Sequence, residues 1–184
     1  MKKILLAATA MLIAAPAVAQ APANPAPTIA PAPSPDEMKL PRPARARGIP
    51  TALAIEAAQV ANANCLSTTY KTTTLVTDSA GVPIVMISND GAAAITQRIA
   101  MTKAQAALKY KMSSGEVLAK AGTDAALAAA IKADPMIETA RPGAFLLKAG
   151  NETVGIISVS GAPGGEKDEV CAKAGIAAIQ SRIQ

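Results

Sequence analysis

The chain has 184 residues, a formal charge of +5, 14 prolines, two cysteines and no histidine. That length allows one domain with a real core. The missing imidazole removes Ser-His and Cys-His catalysis, histidine zinc sites and histidine-ligated haem for this chain, and two cysteines cannot complete a four-cysteine metal site.

Lys2 and Lys3 precede an apolar run from Ile4 to Ala15, and Ala17-Val18-Ala19 offers a small-x-small cleavage pattern. The pattern predicts a signal peptide over residues 1–19 and a periplasmic or secreted product. The run is shorter than the roughly 20 apolar residues of a membrane span. No cysteine follows the cut for lipid attachment, so no stable membrane anchor is expected. Residues 20–50 hold nine of the 14 prolines and read as a Pro/Ala-rich, disordered linker. Arg42, Arg45 and Arg47 keep that segment soluble. With only Tyr70, Tyr110 and Phe145 for stacking and no basic stripe in the folded part, no nucleic-acid partner is expected.

The domain is expected over residues 51–184. Thr51 is the expected cap of a helix running to about Asn64, with Leu53, Ala57, Val60 and Ala61 on one face. Thr72 to Thr77 and Val82 to Ser88 are strand-like runs joined by Asp78-Ser79-Ala80-Gly81, a hairpin whose Pro83 suits an edge or a strand entry. Asn89-Asp90-Gly91 stops it. Ala92 to Tyr110 predicts a helix, Ser113-Ser114-Gly115 breaks it, and Glu116 to Ala121 adds a short turn. Thr123 is the expected cap of a helix through Ala133, closed by Asp134-Pro135. Met136 to Thr139 is ambiguous, with a short edge strand as one reading. Ala144 to Lys148 and Val154 to Ser160 form a second hairpin. Beyond the turn Ser160-Gly161-Ala162-Pro163-Gly164-Gly165, a final helix runs from about Glu166 to Arg182. Its carboxylates Glu166, Asp168 and Glu169 fall in the first turn, where free amides and the helix dipole favour them. Two hairpins among helices favour an antiparallel sheet of the α+β class.

The glycine turn superficially resembles a phosphate-binding loop, but Glu166 interrupts the Gly-Lys pair and Asp168 stands where a hydroxyl is needed. The whole stretch VGIISVSGAPGGEKDEVCAKAGIAAI instead resembles the C-terminal signature of the GlcG/HbpS-like family, which includes the PduO C-terminal-type domain. LVTDSAGVPIVMISNDGA, KAQAAL and RPGAFLLKAGNETVG extend the similarity over roughly Thr51 to Ile179. The resemblance implies a five-stranded antiparallel sheet flanked by helices, a profilin-like α/β sandwich. It also implies a homo-oligomer, and haem or another tetrapyrrole as ligand.

Under that resemblance, Lys103 lies in the family's lysine segment, although Gln105 and Ala106 replace its usual Arg-Thr pair. Lys103 and Arg98 become candidates for holding an anion; the plain alternative for Lys103 is a solvated face of an alanine-rich helix. Gly161, Gly164 and Gly165 put free amides at a helix start, suited either to a small carboxylate or to a self-capped turn. Gly143, in Arg141-Pro142-Gly143, matches the family's Pro-Gly-Gly with Ala144 in place of the second glycine. For haem iron, Met101, Met112 and Tyr110 are the donors near Lys103; methionine at helical spacing otherwise fills core. Glu166, Asp168, Glu169 and Asp78 are the only acid set, and no nucleophile has a basic partner, so no enzyme is expected. The functional expectation is an exported binder of haem, another tetrapyrrole or a small organic acid. The alternative is a non-catalytic oligomeric accessory protein that has lost its ligand. Cys65 and Cys171, the only cysteines of an exported chain, either form a stabilising disulfide between terminal helices or pack as small core residues.

Overall fold

The computed structural model describes residues 46–138 and 140–184. The expected signal peptide and all but the end of the expected linker lie outside these residues. In chain order the elements are α1 (Thr51–Ser67), β1 (Thr73–Thr77), β2 (Pro83–Ser88), α2 (Ile95–Tyr110), α3 (Ser114–Ala121), α4 (Ala125–Ala133), β3 (Ala144–Ala149), β4 (Glu152–Ser160) and α5 (Gly165–Ile179), followed by a 3-10 turn over Gln180–Arg182. The strands make one sheet in the order β2-β1-β4-β3, with every neighbouring pair antiparallel.

Side-chain alternation along the two central strands sorts the core into layers. Val76, Ile157 and Val159 face α1 and α5, together with the disulfide cysteines. Leu75 and Ile156 face Ala100, Ala104 and Ala107 of α2 on the other side. Helices therefore cover both faces, which is why β4 reads as a nearly continuous apolar run. A third cluster, built on Val117, Ile131 and Ile137, seats α3 and α4 against Ala106 of α2.

The threonine-rich β1 is buried along its whole length, so its hydroxyls need partners. Thr74 Oγ1 donates to Asn62 Oδ1 at 2.7 Å, and Asn62 Nδ2 donates to the Ile87 carbonyl at 3.0 Å, binding α1 to the first hairpin. Thr73 Oγ1 lies 2.7 Å from Thr96 Oγ1, tying the sheet to α2. The ordered packing starts ahead of Thr51: Ile49 is buried, and the Ser79 amide donates to the Arg47 carbonyl.

Several expectations change. The sheet has four strands among the described residues, not five. The stretch after α4 cannot supply another, because the amides of Met136, Ile137 and Glu138 are all spent on Asp134 in a tight turn. Glu138 there has a left-handed φ of 58°, and Ile137 goes into the helical cluster. Thr51 is the first residue of α1 rather than its cap, and Pro50 at the cap position provides no side-chain bond. Asp124, not Thr123, caps α4, its carboxylate accepting from the Leu127 amide. Residues 114–121 form a full helix, because Ser113 and Glu116 close a reciprocal capping box at its start. Pro83 does lie on an edge strand, where its missing amide costs no ladder bond. Among the described residues, no helix is long and apolar enough to cross a membrane.

Candidate functional site

Helix α2 presents Ala100, Lys103, Ala104 and Ala107 to the sheet, a spacing that places all four on one face. Lys103 therefore points inward and is only 2% exposed. It meets Asp168, which the first turn of α5 carries to the same point and which is 3% exposed. Lys103 Nζ donates to Asp168 Oδ2 at 2.6 Å and to the Val159 carbonyl at 2.8 Å. The other carboxylate oxygen, Oδ1, accepts the Ala162 amide at 2.9 Å, which pins the glycine loop. Burial pushes the Lys103 ammonium below its usual range, and the Asp168 carboxylate partly restores it. Burial likewise pushes Asp168 up, with Lys103 opposing.

One glycine makes room for this pair, and a second lets the loop beside it close on β1. A Cβ on Gly143 would stand 2.7 Å from Lys103 Nζ, and its φ of +129° disfavours any other residue. Gly161, also at φ +129°, passes so close that a Cβ would lie 2.9 Å from Thr72 Cα.

Two cavities flank the Arg141-Pro142 turn. The smaller, about 310 Å³, is a cleft over the ion pair, lined by Thr96, Lys103, Arg141, Ser160, Gly164 and Gly165 among others. The larger, about 760 Å³, is an open groove between the end of α2, β3 and the start of α5. Met112, Phe145 and Leu146 give it apolar walls, and Lys111 reaches it from the α2–α3 turn, Lys148 from β3 and Lys173 from α5. Lys173 Nζ lies 5.2 Å from the Phe145 ring centre, and Glu116, Glu166 and Glu169 share the rim.

The expected residues are therefore divided. Lys103, Gly161, Gly164 and Gly165 meet at the cleft, with Gly143 against the Lys103 ammonium. Arg98 does not join them. It is exposed and holds Glu138 through two contacts of 2.7 Å, beside an apolar cavity of about 290 Å³ lined also by Met101 and Met136. Arg141 takes the rim position instead. Of the donors considered for iron, Met112 lines the large groove and Met101 the apolar cavity. The Tyr110 hydroxyl is buried without a hydrogen-bond partner. Sequence reasoning missed Asp168 as a buried partner and Arg141 as the cation of the cleft. The alanine stripe around Lys103 was the available signal for burial, since a charge on the core face of a helix demands a partner. Cys65 and Cys171 are joined, with Sγ atoms 2.03 Å apart. Among the described residues, no group of three His, Cys, Asp or Glu side chains could hold a metal ion.

A four-stranded antiparallel sheet between two helical layers, with a glycine-loop cleft and a groove rimmed by charges of both signs, defines a small α+β protein with ligand-sized cavities. Residues 49–177 match the family model described as "Haem degrading protein HbpS-like", and the chain belongs to that family. Among solved structures it is similar to HbpS, at 25% identity and a TM-score of 0.66, with 74% of this chain and 93% of that one covered. A double mutant of Streptomyces reticuli HbpS matches at 24% identity and a TM-score of 0.66, covering 84% of this chain and 99% of that one. The PduOC:heme complex shares the fold at 20% identity and a TM-score of 0.66, over 72% of this chain and 95% of that one. No curated protein matches the chain.

Proposed function

We propose that the protein is an exported haem-binding protein whose tetrapyrrole site is the large groove. The observation that carries this reading is the composition of that groove: one thioether, one aromatic ring, and three lysines set among three glutamates, around about 760 Å³. Its volume lies in the range of small-molecule sites, about 300–1,000 Å³. The side chains suit haem without histidine. Met112 would ligate the iron through sulfur, Phe145 and Leu146 would cover part of the macrocycle, and Lys111 and Lys148 would pair with the propionates. Bound haem would supply an iron centre capable of redox and ligand-binding chemistry. The chain's own groups hold and orient it; the Ser113 hydroxyl and Glu116 carboxylate that line the groove are engaged with each other in the capping box of α3. Membership of the HbpS-like family supports the ligand class. The N-terminal apolar run and the paired cysteines support export to an oxidising compartment.

Hemin titrated into the purified protein, followed at the Soret band, should saturate. Met112→Ala should shift the Soret position, and Lys111→Glu with Lys148→Glu should weaken binding about tenfold or more, the equivalent of about 1.4 kcal/mol. A drift without saturation, matched by an unrelated protein, would show a scaffold that does not hold haem.

A further inference from the structure

Four features of the smaller cleft converge on one ligand chemistry, separate from the groove. Arg141 stands exposed at its rim with no carboxylate partner among the described residues. The 15-residue helix α5 opens on it, and Gly164 at the cap position offers no side-chain bond. The backbone bonds near that end run from Lys167 and Asp168 to the Gly164 carbonyl, which leaves the first amides, those of Gly165 and Glu166, free. Ser160, 3% exposed and lining the cleft, has a hydroxyl with no hydrogen-bond partner among the described residues. Lys103 has three donor protons and two acceptors within the protein, Asp168 and the Val159 carbonyl.

The negative charges nearby do not compete. Both oxygens of Asp168 are engaged, one by Lys103 and one by the Ala162 amide. Glu166 lines the groove on the other side of Pro142. The cleft thus carries a net positive rim, amides of a helix start, and two polar groups at its floor with unused capacity.

We propose that this cleft binds a small carboxylate bearing a second oxygen on the carbon next to the carboxyl group. The carboxylate lies between Arg141 and the free Gly165 amide at the start of α5, as anions do at helix N-termini. The second oxygen reaches the floor, where Ser160 and the remaining Lys103 proton meet it. A volume of about 310 Å³ suits an acid of a few carbons. Asp168 also lines the cleft, with both oxygens already engaged, and is then a positioning residue that holds the loop and aims the ammonium.

The test needs no haem, so its failure is distinct from a failure of the groove as a haem site. The folded full chain, labelled with nitrogen-15, is titrated with pyruvate, acetate and chloride while amide shifts are followed. Pyruvate should give saturable shifts at Gly161, Gly164, Gly165 and Glu166, acetate the same shifts at lower affinity, and chloride none. Arg141→Gln, at an exposed position, should weaken both acids at least fivefold. Ser160→Ala should weaken pyruvate and leave acetate unchanged. Saturable shifts by chloride equal to those of the acids would mean a nonspecific anion site and overturn the proposal. So would the absence of saturable shifts with any acid, or pyruvate binding unaffected by both substitutions.

Discussion

Lys103 shows how a single buried charge organises its surroundings. The ammonium and the Asp168 carboxylate are both nearly excluded from water, and burial shifts each against its charged form. Such a pair gains little over well-packed apolar groups, yet losing one member strands the other. Lys103→Met should therefore destabilise the domain by about 3–5 kcal/mol, read from urea unfolding. Lys103→Met combined with Asp168→Asn should recover a large part of that loss, because the amide oxygen still accepts from Ala162 and no charge is left unpaired. Equal losses in the single and double variants would mean that the hydrogen bond to the Val159 carbonyl, not the charge balance, is what matters. At this scale the lysine was visible in the sequence, but its environment was not. The same residue type on the opposite face of α2, Lys109, is half exposed and pairs with Asp134 at the surface.

Among the elements, α1 and α5 make the tightest helix pair. Their shared face is built from Ala54, Ala57, Ala58 and Ala61 on one side and Ala172 and Gly175 on the other, all fully or nearly fully buried. Small side chains let the axes approach, and that approach brings Cys65 and Cys171 to a Cα separation of 5.5 Å. The bridge spans 106 positions. On the chain-entropy model, a loop of that length contributes about 4–5 kcal/mol by restricting the unfolded chain. Denaturant unfolding with and without reductant should show a midpoint loss of that order. Alkylation of the protein isolated without reductant should label neither cysteine. Two labelled thiols after denaturation would mean that the pair is merely packed together in the living protein. The outer edge of the same helix pair carries an ion pair from Arg182 to Glu56, at 2.9 and 2.5 Å. It is solvent-exposed, so its contribution is small.

At the scale of the whole molecule, apolar side chains remain outside the three clusters. Val170 on α5 is 61% exposed, Met136 60% and Leu66 51%. Val170 puts an exposed apolar side chain on the outer side of the last helix, and the family resemblance implies self-association. A homo-oligomer is accordingly expected, with the outer side of α5 at the contact. Light scattering at micromolar concentration should give a multiple of the chain mass, and Val170→Glu should shift the population toward monomer. A monomer for the unsubstituted protein would remove the expectation.

The sequence by itself determined the element order, the two hairpins, the glycine loop and the family, because these rest on local periodicity, turn chemistry and a contiguous signature. It also limited the chemistry, since no histidine is available anywhere in the chain. Strand number was decided elsewhere: residues 136–138 are apolar enough for a strand, and only the competing hydrogen bonds of Asp134 turn them away. Likewise, Asp168 reads as an exposed helix cap beside Glu166 and Glu169. A helix start offers each of them similar local electrostatics, and the sequence carries no sign of which one faces inward. That choice is made 65 residues away, where the stripe of alanines on α2 brings an ammonium to the sheet and leaves it one carboxylate within reach.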